Sequence, residues 1–118
     1  MKSILIVEDI DLNLDLLTQL LEDNYKLLVA RDGEQAVELA QHNDPDLILM
    51  DISLPIMDGY EATQIIRKTN PSIIIIGLSA HAMQGDVEKA ITAGCTDYLT
   101  KPIDEDILLK MINQYVGG

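Results

Sequence analysis

A chain of 118 residues that is 47% apolar is long enough for one core and short for two, so a single domain over 1–118 is expected. Its net charge of −12, with eight scattered Lys and Arg, excludes the basic stripe that would hold a nucleic acid. The lone cysteine, Cys95, excludes an internal disulfide and fits a reducing compartment.

The predicted elements alternate. An apolar, β-prone run at 3–7 precedes helical spacing over 12–24, where Leu16, Leu17, Leu20 and Leu21 fall on one face. A strand over 25–30 leads to a helix over 33–43, with Asp32 as N-cap and Gln35 three residues on as a weak capping box. His42, near the end of that helix, complements its dipole. A strand at 46–50 is followed by a helix over 60–69, stopped by Asn70-Pro71. The fourth pair is a strand at 72–79 and a short helix over 84–93, with Gly85 near its start and Gly94 placed to end it. A last strand, 97–100, precedes a helix from about Asp104 whose Ile107, Leu108, Met111, Ile112 and Tyr115 face inward.

Five β–α pairs in this order predict an α/β fold, a parallel sheet covered by helices on both faces. Leu47-Ile48-Leu49-Met50 and Ile73-Ile74-Ile75-Ile76 are apolar on both alternating faces, as central parallel strands are. The longest apolar run, 73–80, is well short of the roughly 20 residues of a membrane helix. The polar turn at Glu8-Asp9 comes too early for a signal peptide, so no membrane association and a cytoplasmic location are expected.

In such a sheet a ligand site lies at the carboxyl ends of the strands. Glu8 and Asp9 follow the first strand, Asp51 the third; Ser79 ends the fourth, and Lys101-Pro102 follows the fifth. Taken singly, each is ordinary: a solvated acidic pair, a turn aspartate, a strand exit. Gathered on one rim, the carboxylates need an offset, because two of them about 4 Å apart repel by roughly 4 kcal/mol at an effective dielectric near 20. A hard divalent cation supplies it, and Mg²⁺ suits a site of few carboxylates that also takes phosphate oxygens. With the Lys101 ammonium and the Ser79 hydroxyl, the set suits a transferring phosphoryl group, for which Asp51 is the candidate nucleophile.

The motifs Ile4-Leu5-Ile6-Val7-Glu8-Asp9, Asp51-Ile52-Ser53-Leu54-Pro55-Ile56-Met57-Asp58-Gly59, Leu78-Ser79-Ala80, Gly94-Cys95-Thr96-Asp97-Tyr98-Leu99 and Thr100-Lys101-Pro102 stand in order along the chain. With them the sequence resembles the receiver domain of bacterial response regulators over essentially its whole length, in the stand-alone single-domain form. The resemblance implies a flavodoxin-like three-layer sandwich with five helices and strand order 2-1-3-4-5, which alternation alone does not dictate. It implies that Asp51 is the phosphoacceptor, that Asp9 holds Mg²⁺ directly and Glu8 through water, and that the Ser53 backbone carbonyl is a further ligand. Ser79 and Lys101 would engage the phosphoryl group, and Tyr98 would be the switch aromatic that turns inward as Ser79 moves. The peptide before Pro102 would be cis.

The expected function is therefore a phosphorylation-dependent signalling switch of a two-component or phosphorelay system, not an enzyme acting on an external substrate. A sensor or hybrid histidine kinase, or a phosphotransfer protein, would supply the phosphoryl group from a phosphohistidine. The pattern Glu8-Asp9-Ile10 … Asn13 leans the partner toward such proteins. The output would be an altered face of the fourth helix, fifth strand and fifth helix, read by a downstream protein, with the chain a monomer or weak dimer. The alternative is a Mg²⁺-dependent phosphatase with an aspartyl nucleophile, but such enzymes usually carry a second Asp where Ser53 stands. His81 reads as an exposed loop histidine and Cys95 as core filler.

Overall fold

Aliphatic runs too short to close a helix become strands, and the amphipathic stretches between them become the crossovers. The computed structural model describes the chain except for residues 55, 81–83 and 118, and of 84–86 only the backbone. The expected reading of His81 therefore lies outside the described residues. The elements are β1 (Ser3–Val7), α1 (Asp11–Leu21), β2 (Lys26–Ala30), α2 (Gly33–Asn43), β3 (Leu47–Asp51), α3 (Gly59–Thr69), β4 (Ile74–Ser79), α4 (Gln84–Ala93), β5 (Asp97–Thr100) and α5 (Glu105–Val116). All strand pairs are parallel and the order is β2-β1-β3-β4-β5, as the resemblance implied.

Alternation along the strands divides the core into two layers. Leu5, Val7, Ile48, Met50 and Ile75 point to one face and pack on Ala36, Ala40, Ala62, Ile66 and Ala90 of α2, α3 and α4. Ile4, Ile6, Leu47, Leu49, Ile76 and Leu78 point to the other, onto Leu14, Leu17 and Leu21 of α1 and Leu108 and Ile112 of α5. The three central strands are thus covered on both sides, which is why their sequences show no polar alternation. Cys95 is buried in the first layer, as expected of core filler.

Two apolar faces differ from expectation. Leu14, not Leu16, completes the buried stripe of α1, and Leu16 is 53% exposed; Ile107 of α5 is 50% exposed. Both side chains lie at the margin of a stripe whose width the 3.6-residue period leaves open by one position. The first helix also stops at Leu21 rather than Asn24, because Asn24 and Tyr25 N–H turn back to the Leu21 carbonyl and start the approach to β2.

Caps fix where the helices begin. Asp32, Asp58 and Asp104 accept from the backbone N–H of Gln35, Glu61 and Ile107, at 2.9, 2.9 and 3.1 Å, one cap each for α2, α3 and α5. At the opposite end of the sheet Arg67 ties α3 to its neighbours. Its Nε donates to the Gly94 carbonyl (2.8 Å), Nη1 to the Ile73 carbonyl, and Nη2 to Thr96 Oγ1 (3.0 Å). Among the described residues no helix is long and apolar enough to cross a membrane.

Candidate functional site

Register brings the polar residues to one rim. Val7 pairs with Met50, and Asp51 with Leu78, so Glu8, Asp51 and Ser79 emerge at adjacent strand ends. Ser79 also pairs with Thr100, and the Lys101 N–H donates to the Ser79 carbonyl, which sets Lys101 beside them. The Lys101-Pro102 peptide is cis.

Glu8, Asp9 and Asp51 each offer a carboxylate oxygen within 4.8 Å of the others. Glu8 and Asp51 are nearly inaccessible, at 1% and 3% exposure. The Lys101 ammonium stands 3.0 Å from Glu8 Oε1 and 3.5 Å from Asp51 Oδ2, bridging the two. The Ser53 N–H donates to Asp51 Oδ1 at 3.1 Å. Ser79, 2% exposed, closes the floor on the β4 side. The expected site residues are thus brought together, save Tyr98, which lies half-buried on β5 beside Gly77.

Electrostatics separates the two buried carboxyls. Burial, then the hydrogen bond and charge of Glu8, push Asp51 up to about 7, against the pull of Lys101 and the Ser53 N–H. For Glu8, burial opposes ionisation, but the hydrogen bonds from Asp51 and Lys101 and the charge of Lys101 outweigh it and hold the carboxyl below its usual range. One proton shared by the pair is what two carboxyls with a single ammonium between them require near neutrality.

The donor set fits a divalent cation on its own terms. Asp9 Oδ1 is buried and has no hydrogen-bond partner, an orphaned anionic oxygen that a hard cation would satisfy. The residues able to hold one are Glu8, Asp9 and Asp51. Beside them a cavity of about 170 Å³, lined by Asn13, Leu16, Leu20, Lys101 and Ile103 among others, opens between α1 and the turn into α5.

Comparison with known proteins places this arrangement. The model of the response regulator receiver domain matches residues 4–113. The chain belongs to that family. The polar-differentiation response regulator DivK of Brucella ovis is 40% identical over 119 residues, covering 98% of this chain and 97% of the relative. Among solved structures, the receiver domain of the sensor histidine kinase PA1611 from Pseudomonas aeruginosa PAO1, with a magnesium ion coordinated in its active-site cleft, superposes with a TM-score of 0.92 at 38% identity. It covers 99% of this chain and 98% of that one. A two-component response regulator from Clostridium difficile gives a TM-score of 0.94 at 25% identity, covering 99% and 97%. Receiver domains are signalling phosphoacceptors of two-component systems, and the acidic pocket is compatible with Mg²⁺ and a phosphoacceptor aspartate.

Sequence reasoning missed three residues at or near the site. Asn13, in the first turn of α1, lines the cavity beside Glu8 and helps to hold that carboxyl low. Gly33 and Gly59 let backbones meet: a Cβ on Gly59 would overlap the Asp51 carbonyl oxygen and lie 2.7 Å from Ile52 Cα. The signal for Asn13 was its place one turn beyond the acidic pair. For the glycines only tertiary packing shows the need.

Proposed function

We propose that residues 1–118 form a phosphorylation switch in which Asp51 accepts a phosphoryl group from the phosphohistidine of a histidine kinase or phosphotransfer protein. An Asp51 carboxylate oxygen attacks phosphorus, the phosphorus–nitrogen bond breaks, and the leaving imidazole takes up a proton. The observation that carries this reading is the gathering of Glu8, Asp9 and Asp51 within 4.8 Å at the rim, with the Lys101 ammonium between two of them.

Glu8, Asp9, Asp51 and the Ser53 carbonyl would hold Mg²⁺, with Glu8 acting through water. When bound, the cation neutralises charge on the transferring oxygens. Lys101, which now bridges Glu8 and Asp51, moves its ammonium to the new phosphoryl oxygens, and the Ser79 hydroxyl donates to another of them. About two added negative charges bias a two-state equilibrium. Ser79 moves toward the phosphoryl group, Tyr98 packs inward, and the face of α4, β5 and α5 changes for a downstream protein in the cytoplasm.

A protein donor is favoured by exposed apolar side chains on the segments that follow Asp9 and Asp51: Ile10, Leu12, Leu16 and Ile56 are all more than half exposed. A phosphatase acting on small esters has no use for that surface, and Ser53 stands where its general acid would. Incubation with acetyl phosphate and Mg²⁺ should add one phosphoryl group that hydroxylamine removes, and Asp51→Asn should abolish it. Full labelling of Asp51→Asn would move the acceptor elsewhere, and multiple turnover of phosphomonoesters would favour the phosphatase.

A further inference from the structure

Gly33, the first residue of α2, is buried against the loop that joins β3 to α3. A Cβ built on it would overlap the carbonyl oxygen of Met57, with the Met57 Cβ at 2.7 Å and its carbonyl carbon at 2.8 Å. Two of those three atoms are backbone and the third is fixed to it, so none can swing aside as the end of a side chain would.

The two sides of this contact differ in what holds them. The start of α2 is fixed twice: Asp32 Oδ1 accepts from Gln35 N–H at 2.9 Å, and Gln35 Oε1 accepts from Arg31 N–H at 2.8 Å. The loop is tied at its ends, where Gly59 N–H donates to the Ile52 carbonyl at 3.0 Å. Ser53 lies inside that closure, and its N–H donates to Asp51 Oδ1. Between the ties Ile56 adopts a left-handed conformation, φ 67°, which a β-branched residue resists. The backbone of α2 at Gly33 bears on Met57, the residue directly after Ile56.

We propose that Gly33 is a positioning residue for this site: its missing side chain seats the capped start of α2 on the Met57 backbone, and this contact fixes where the loop presents Ser53 beside Asp51. With Asp51 and Ser53 acting as proposed above, the contact sets the affinity of the site for its cation without touching it. Any side chain at position 33 displaces Met57 and, through the closed loop, Ser53.

The test is Mg²⁺ titration of the full chain followed by backbone amide NMR, on the unmodified protein, Gly33→Ala and Leu21→Val. Leu21 is buried against α1's own face of the sheet and its carbonyl meets the turn into β2, at the far end from Asp51, so Leu21→Val loses stability without reaching the loop. Folded Gly33→Ala should bind Mg²⁺ roughly 10-fold more weakly, as losses of supporting contacts around a metal do, while Leu21→Val keeps the unmodified affinity. In the unmodified protein Mg²⁺ should shift the Gly33 amide resonance but not that of Ala40, two turns further along α2. Equal affinity in folded Gly33→Ala overturns the proposal. If Gly33→Ala does not fold, a Gly33 amide that ignores Mg²⁺ in the unmodified chain overturns it as well. Absence of Mg²⁺ binding in the unmodified chain would instead remove the reading of the site itself, and this proposal with it.

Discussion

Asp51 shows how one side chain carries both a site and a cost. Its carboxyl is raised to about 7 in the folded chain from an ordinary 3.8, first by burial and then by Glu8. The folded state therefore binds more protons than the unfolded state between those values, and without metal its stability must fall as pH rises through that window. Glu8, held below its ordinary value of 4.5, acts the other way and only at lower pH. Urea unfolding in chelator should show wild type losing on the order of 2 kcal/mol between pH 5 and pH 8, and Asp51→Asn should flatten that slope. Parallel slopes would mean that the pair does not share its proton as the geometry indicates. Ile56 carries a second local cost. It is 77% exposed and left-handed, so Ile56→Asn gives up almost no packing and relieves strain; a gain of about 1 kcal/mol is expected in the same assay.

Among elements, strands and helices follow from short-range pattern, whereas the joins between them do not. The runs of β1, β3 and β4 are apolar on both faces up to the polar residues at the rim, and Asp32 with Gln35 announces the start of α2; such features are readable because they depend on neighbours in sequence. Leu16 and Ile107 were misplaced because periodicity gives a stripe's direction and not its edges, which depend on what packs opposite. Arg67 could not be read at all. In sequence it is one of two basic residues in the last turn of α3, and only the fold shows that it collects carbonyls from β4's approach and α4's end. Arg67→Met should cost roughly 2 kcal/mol by leaving those acceptors unpaired, and Lys68→Met, one residue on and exposed, should cost little. Equal losses in thermal unfolding would show that solvent already satisfies the carbonyls.

At the scale of the whole molecule, the sequence placed the site because topology does most of the assembly: residues as far apart as Glu8 and Lys101 meet only since all five strands run the same way. The gathering was legible, while the sharing of a proton within it was not, because that depends on distances of a few ångströms. Cation binding should accordingly be linked to both stability and protons. Mg²⁺ at about one hundred times its dissociation constant should stabilise the chain by about 2.7 kcal/mol. Near pH 6 calorimetry in buffers of different ionisation enthalpy should detect the release of nearly one proton, since Asp51 must lose it to become a ligand. Stabilisation without proton release would place the ion elsewhere. The Arg67 corner bears on how such a local event spreads. It pins Gly94, directly behind α4, so the ten residues of that helix form a lever of about 15 Å with its pivot remote from Asp51. A tilt of about 10° then carries the leading turn, next to the segment after Ser79, by roughly 2.6 Å while the trailing turn stays nearly still. A rotation about this corner therefore displaces most the turn of α4 nearest the rim, and least the base at Gly94.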